Sequence, residues 1–180
     1  MSKIVLLTGS PRRIGNSQTM ADSFAAAAEK LGAEVVRFDT AHMNVAPCLA
    51  CEACAKNGKC FVDDDFASIA RELEEADGVV FAAPVYWFTF PAQIKAVIDR
   101  LFSLCCTGKS FEGKKCALLG CCADQSPATF DGMKLAYERT VQYLKGENVG
   151  EVLVNGVHKA GDIADTDGLV RAAGLARKFA

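Results

Sequence analysis

The stretch Lys3-Ile-Val-Leu-Leu-Thr-Gly-Ser-Pro-Arg-Arg-Ile-Gly-Asn-Ser-Gln-Thr-Met20 decides the fold. Its first half, KIVLLTG (Lys3 to Gly9), is a short apolar run of the kind that forms a strand buried on both faces. Its second half is a polar turn that leads directly into helical spacing at Met20, Phe24, Ala27 and Leu31. The unit is therefore strand, turn, helix, and it recurs. EVVRFD (Glu34 to Asp39), GVVFAAP (Gly78 to Pro84), KCALLGCC (Lys115 to Cys122) and EVLVNGV (Glu151 to Val157) read as further strands. Helical spacing follows at Phe66, Ile69, Ala70 and Leu73, at Ile94, Val97, Ile98 and Leu101, and at Phe130, Met133, Tyr137, Val141 and Leu144. An Ala-rich segment, Asp165 to Phe179, closes the chain as a last helix that Asp165 and Thr166 can cap. Five strands alternating with five helices predict an α/β protein, a doubly wound parallel sheet joined by right-handed crossovers.

The composition agrees with one such domain over residues 1–180. The chain has 180 residues, 51% of them hydrophobic and 23% charged, enough to cover a single sheet on both faces. A net charge of -2 and a pI near 5.7 supply no general basic field, and pairs such as Arg12-Arg13 and Lys114-Lys115 are too sparse to track phosphates, so nucleic acid is not the expected partner. The longest apolar run, Gly78 to Ala92, is interrupted by Pro84 and is shorter than the roughly 20 residues that span a bilayer. No membrane association is expected, and the start reads as a strand rather than a signal peptide. The expected setting is cytoplasmic. Nine cysteines, an odd number, do not suit a disulfide framework in that compartment, which leaves metal or redox chemistry to be weighed.

Open parallel sheets bind ligands outside the carboxyl ends of their strands, so the loops after the first, third and fourth strands carry the chemistry. The first, Thr8 to Thr19, reads as a phosphate cradle. Gly9 and Gly15 relax the backbone, Ser10, Asn16, Ser17 and Thr19 supply polar groups, and the following helix contributes aligned amides and partial positive charge. Arg12 adds a charge-assisted contact worth about 1.5–3 kcal/mol. The glycines stand one residue too far apart for a Walker A loop, and Asn16 takes the place of its lysine. A dinucleotide site of the GxGxxG kind is also missing its glycines, although Asp39 is suitably placed at the end of the second strand. A phosphatase with a cysteine nucleophile after the first strand is excluded, because that position is Thr8.

The second loop, Ala82-Ala-Pro-Val-Tyr-Trp-Phe-Thr-Phe-Pro91, gathers aromatics that can wall a flat ring system and exclude water from it. With GSPRRIGNSQ, DDDFASIARELEEADGVVFAAPVYWFTFPAQIKAVIDR and the GKKCALLG strand, this loop closely resembles the NADPH-dependent FMN reductase and iron-sulfur flavoprotein group of the flavodoxin-like superfamily. The resemblance covers about the first two-thirds of the chain. It implies a flavodoxin-like three-layer sandwich with a five-stranded parallel sheet in the order 2-1-3-4-5, FMN as cofactor and NAD(P)H as co-substrate. By the same resemblance Ser10, Arg12, Asn16, Ser17 and Gln18 hold the FMN phosphate, and Pro84, Val85, Tyr86 and Trp87 line the flavin ring. A homodimer or homotetramer with flavin near the interface is implied as well. The third loop, Gly120 to Ser126, departs from the group's glycine-rich pattern, and its position after the fourth strand places Cys122 by the flavin.

Between the second strand and second helix, residues 47–62 form a cysteine-rich loop with Cys48, Cys51, Cys54 and Cys60 in the spacing CxxCxxCxxxxxC. Cysteines three apart share one side of a helical turn, and Gly58 lets the chain bend back to deliver the fourth thiolate. Four thiolates suit a 4Fe-4S cluster, a zinc ion takes the same four, and in some relatives such thiols stay free. Cys105, Cys106 and Cys116 read as packing residues, and His42 and His158 as surface or loop histidines. The function expected is transfer of electrons from NAD(P)H or a reduced carrier, through FMN, to a quinone, a nitro or azo compound or another acceptor. Two alternatives remain: an electron carrier that exchanges with a ferredoxin-like protein, and a zinc-stabilised binding module. In none of these does a side chain need to act as nucleophile or general acid.

Overall fold

A computed structural model describes all residues, 1–180. Five strands, β1 (Lys3–Thr8), β2 (Glu34–Asp39), β3 (Gly78–Pro84), β4 (Lys115–Cys121) and β5 (Glu147–Val154), form one all-parallel sheet in the order β2-β1-β3-β4-β5. The helices are α1 (Asn16–Lys30), α2 (Ala53–Asn57), α3 (Phe66–Glu75), α4 (Ala92–Arg100), α5 (Phe102–Cys105), α6 (Asp131–Tyr143) and α7 (Gly168–Leu175). The sheet order reverses direction between β1 and β3, and at that switch the carboxyl ends of neighbouring strands diverge and open a crevice.

Alternation along the strands builds the two cores. Val5 and Leu7 of β1, with Val79 and Phe81 of β3 and Leu118 of β4, face Phe66, Ile69, Ile94, Val97, Met133 and Tyr137 from α3, α4 and α6. Ile4, Leu6, Val80, Ala82 and Leu119 point the other way, onto Met20 and Phe24 of α1 and Ala172 and Leu175 of α7. A side-chain period of two thus feeds two apolar layers from one ribbon. Phe24 meets Phe179 edge to face at 5.3 Å, and Gly78 is small because a Cβ there would lie 2.5 Å from the Phe179 ring.

The structure differs from the sequence reading in detail: β1 and β4 each end one residue earlier than expected, β5 ends at Val154 rather than Val157, and the short helices α2 and α5 are added to the five expected. β5 begins at Glu147 rather than Glu151, because its polar first half lies at the sheet's edge and slips register opposite Cys116 and Ala117, where Val149 is the extra residue. The closing helix is only Gly168–Leu175, flanked by 3-10 turns at Asp162–Asp165 and Ala176–Lys178. Of the two capping residues named, Thr166 does accept the Gly168 N–H through its hydroxyl, at 3.1 Å, whereas Asp165 ends the preceding turn. No helix is long and apolar enough to cross a membrane.

Candidate functional site

At the switch point a cleft of ≈ 200 Å³ opens between the turn after β1, the ends of β3 and β4, and the segment that leaves β5. Ser10, Arg12, Asn16, Ser17, Pro84, Val85, Tyr86 and Cys122 all line it, so most of the residues named from the sequence do converge. The turn's central feature is what it lacks. Gly15 is the N-cap of α1 and has no side chain with which to cap it, and no protein oxygen accepts from the first-turn amides of Asn16, Ser17 and Gln18. These residues are nonetheless buried. Uncapped, buried first-turn amides together with the positive end of the helix dipole form a seat for an anion, and the guanidinium of Arg12 stands at its rim.

Three of the named residues do other work. Asn16 lines the cleft, but its side chain is committed: Nδ2 donates to the Lys159 carbonyl at 2.9 Å, and Oδ1 accepts the N–H groups of Gly161 and Ile163, each at 3.2 Å. It bolts the segment after β5 onto the cradle, and Arg12 assists by donating to the His158 carbonyl at 3.0 Å. Gln18 does not reach the cleft. One position along the first turn rotates its side chain toward β2, where it donates to Asp39 and accepts from Arg37. Trp87 does not line the cleft either, being 92% exposed. Val157 and His158, by contrast, form part of the wall. Their approach depends on a contact across more than 140 residues, and no local pattern signals it.

Tyr86 and Thr89 exchange two backbone hydrogen bonds, at 2.9 and 3.1 Å, and so close a two-residue hairpin at the cleft mouth. Its central residues, Trp87 and Phe88, have φ of 47° and 64°, where Asn-Gly is the usual choice. Bulky residues in that region cost of order 1–3 kcal/mol each and cluster at ligand sites. The hairpin is wedged in place by α6: a Cβ on Gly132 would lie 2.4 Å from the Phe88 carbonyl oxygen. Beneath the cleft, burial pushes the Cys121 thiol up to about 12, with the hydroxyl and amide of Ser17 partly opposing the shift. Burial also raises Cys122, whose sulfur Asn155 Nδ2 approaches at 3.4 Å. Both are neutral thiols at pH 7, not nucleophilic thiolates.

A second cavity, of ≈ 500 Å³, is lined by all four cysteines of the CxxCxxCxxxxxC loop. Gly58 ends α2 in the left-handed region, φ 73°, and turns the chain back toward Cys60, the bend its position in the sequence predicts. Arg100 holds the loop in place. It is 2% exposed, yet it reaches both carboxylate oxygens of Asp64, the carbonyls of Ala46 and Val62, and the Cys60 sulfur at 3.2 Å. Its guanidinium also lies 4.3 Å from the centre of the Phe66 ring, while its Nε has no partner. No three Cys, His, Asp or Glu side chains converge closely enough to hold one metal ion. A cuboidal 4Fe-4S cluster places each thiolate on a different iron, so it asks for a lined cavity rather than a knot of sulfurs, and the buried cation beside Cys60 suits its negative charge. Four cysteines around one cavity, with a buried cation beside Cys60, have the donor chemistry a 4Fe-4S cluster takes.

An uncapped anion seat at the switch point of a 2-1-3-4-5 sheet, with an aromatic hairpin at its mouth, defines a flavodoxin-like protein. Residues 2–135 match the family described as NADPH-dependent FMN reductase, and the chain belongs to that family. It is 39% identical over 98 residues to an iron-sulfur flavoprotein of Methanosarcina thermophila, covering 54% of this chain and 51% of that one. An iron-sulfur flavoprotein of Archaeoglobus fulgidus is 36% identical over 99 residues, with 55% and 45% covered. The chain thus spans about half the length of the curated relatives it matches. The fold superposes on the NAD(P)H:quinone oxidoreductase of Methanothermobacter marburgensis with a TM-score of 0.80 over 99% of this chain and 96% of that one, at 18% identity.

The buried ion pair yields a stability test. Burial alone would raise the Asp64 carboxyl, but hydrogen bonds from Arg100 and from the amides of Ala46 and Phe66 outweigh it and hold the group below its ordinary value. A depressed folded value means that the stabilisation is full above the unfolded value of about 3.9 and is lost as pH falls through the folded one. Asp64→Ala is expected to cost about 3–5 kcal/mol at pH 7, because it leaves a buried guanidinium unpaired. Urea unfolding at pH 7 and pH 3 measures this, with the gap between variant and wild type narrowing in acid; equal midpoints at pH 7 contradict it.

Proposed function

We propose that the chain binds FMN with its phosphate on the first turn of α1 and its ring between Pro84, Val85 and Tyr86, and passes electrons from NAD(P)H or a reduced carrier to an acceptor. The observation that carries this reading is the set of buried, uncapped amides at Asn16, Ser17 and Gln18 beside Arg12. FMN in this position supplies hydride acceptance and release of electrons singly or in pairs. The chain's own residues bind and orient. Ser10 and Arg12 complete the anion seat, Asn16 fixes the wall that includes His158, and the strained hairpin screens one side of the cleft from water. Cys121 and Cys122, their thiols raised by burial, fill the floor. The acceptor class that suits an open, aromatic-edged cleft is a flat conjugated molecule: a quinone, a nitroarene or an azo compound. A cytoplasmic setting suits a chain whose nine cysteines are all free thiols.

FMN titrated into the chain is expected to lose fluorescence and to raise the melting temperature, and Arg12→Ala is expected to weaken Kd about tenfold, the low end for a charge-assisted contact at an exposed side chain. Unchanged fluorescence and melting temperature in the wild-type chain would contradict the proposal.

The cysteine cavity favours a second component, a 4Fe-4S cluster held by Cys48, Cys51, Cys54 and Cys60 that divides electron pairs into single steps for a ferredoxin-like protein. Anoxic reconstitution is expected to give about four iron and four acid-labile sulfide per chain, the stoichiometry of such a cluster, and Cys51→Ser to lose them. Bound FMN without iron or sulfide leaves the reductase and removes the cluster, while NAD(P)H oxidation with a quinone distinguishes an enzyme from a pure carrier.

A further inference from the structure

Cys54 has a second sulfur against it. Cys106 follows α5, lies outside the four-cysteine spacing, and places its Sγ 3.2 Å from Cys54 Sγ although 52 residues separate the two. That is about 1.2 Å beyond the length of a disulfide bond, roughly 2.05 Å. Both are free thiols, and the position of Cys106 is set locally, since its backbone N–H donates to the Phe102 carbonyl and its thiol approaches the Ser103 carbonyl at 3.6 Å. The two sulfurs differ in what they face. Cys54 lines the ≈ 500 Å³ cavity and Cys106 does not.

We propose that Cys54 and Cys106 form a thiol-disulfide switch that a hydroperoxide closes and that removes Cys54 from the cavity's ligand set. The Cys54 sulfur, reached through the cavity, attacks one peroxide oxygen; the O–O bond breaks, Cys54 becomes a sulfenic acid and, for hydrogen peroxide, one water leaves. The Cys106 sulfur then attacks the Cys54 sulfur, the S–S bond forms as the S–O bond breaks, and the departing hydroxide takes the Cys106 proton and leaves as a second water. Two thiols are oxidised and one peroxide is reduced to two waters. A sulfur in that bond is no longer a thiolate, so ligation by Cys54 and the disulfide exclude one another. The disulfide stands on the geometry alone, whereas its consequence for iron rests on the cluster proposed above.

The test uses the whole chain, purified without oxygen and free of iron, treated with one equivalent of hydrogen peroxide, alkylated, and digested with trypsin without reductant. Two of the nine thiols are expected to disappear, and peptide 38–56 to appear joined to peptide 101–109 through Cys54 and Cys106, with dithiothreitol reversing the link. Cys106→Ser is expected to abolish the link and to load iron as the reduced wild type does. The oxidised wild type is expected to take up at least tenfold less iron until dithiothreitol is added. No link, or a link through other cysteines, overturns the switch, and so does loss of iron loading in Cys106→Ser, which would make Cys106 a ligand. Equal iron uptake by the linked protein overturns the gating. If the reduced wild type takes up no iron, the cluster reading and the gating fall together, and the peptide map still decides the disulfide.

Discussion

The structure turns on a helix whose first turn is left open. Helix N-termini usually recruit a serine, threonine or aspartate to satisfy their orphan amides. Here Gly15 occupies that position, and the amides of Asn16 to Gln18 have no protein oxygen as acceptor, only the Cys121 sulfur lying near that of Ser17, on residues that are buried against the sheet. Such amides are costly without a partner, and α1 cannot withdraw them, because Met20 and Phe24 anchor it to Ile4, Leu6 and Val80. The sheet thus holds an unsatisfied positive pole at its own carboxyl edge. Two contacts flank that pole: Asn16 and Arg12 draw the segment after β5 over one side, and the missing side chain of Gly132 lets the Tyr86–Thr89 hairpin pack against α6 on another.

The second site depends on a different constraint, the buried charge of Arg100. A guanidinium placed among apolar side chains must find acceptors, and those it finds belong to residues 46, 60, 62 and 64, which lie on both sides of the α2 turn. The cysteine loop is therefore ordered by a cation from the opposite element rather than by its own short helix. The same α4 that ends in Arg100 begins just after the aromatic hairpin. At nine residues, α4 is about 14 Å long, so the hairpin's end and the cysteine loop are set at opposite ends of one short rigid element.

Much of this was legible in the residues themselves. The central strands β1, β3 and β4 announced themselves as apolar runs because they are covered on both faces and have no polar side to show, and the two glycines with their polar neighbours marked the anion turn. What the sequence hid was direction and distance. Asn16 is a plausible phosphate donor by type, but its side chain is engaged with Lys159, Gly161 and Ile163, more than 140 residues away, and its backbone N–H is the group left open to the cleft. Gln18 differs from Ser17 by one step of helical rotation, enough to aim it at Arg37 instead of the cleft. Trp87 looked like a ring contact because aromatics wall flavins, yet a left-handed backbone turns it to solvent. Arg100 did leave a trace, a cation three residues after Val97 on the buried stripe of α4. Cys106 left none, since its meeting with Cys54, 52 residues away, is made by the packing of α2 against the end of α5.

The central claim is that the open first turn of α1 grips a phosphate, and the most direct measurement compares FMN with riboflavin, which carries the same ring and no phosphate. Calorimetric titration of both into the chain at one ionic strength is predicted to give Kd values at least about 100-fold apart in favour of FMN, as two or more charge-assisted hydrogen bonds to the phosphate require. Equal affinities would contradict the account, because the ring alone would then carry the binding and the uncapped helix would have no ligand.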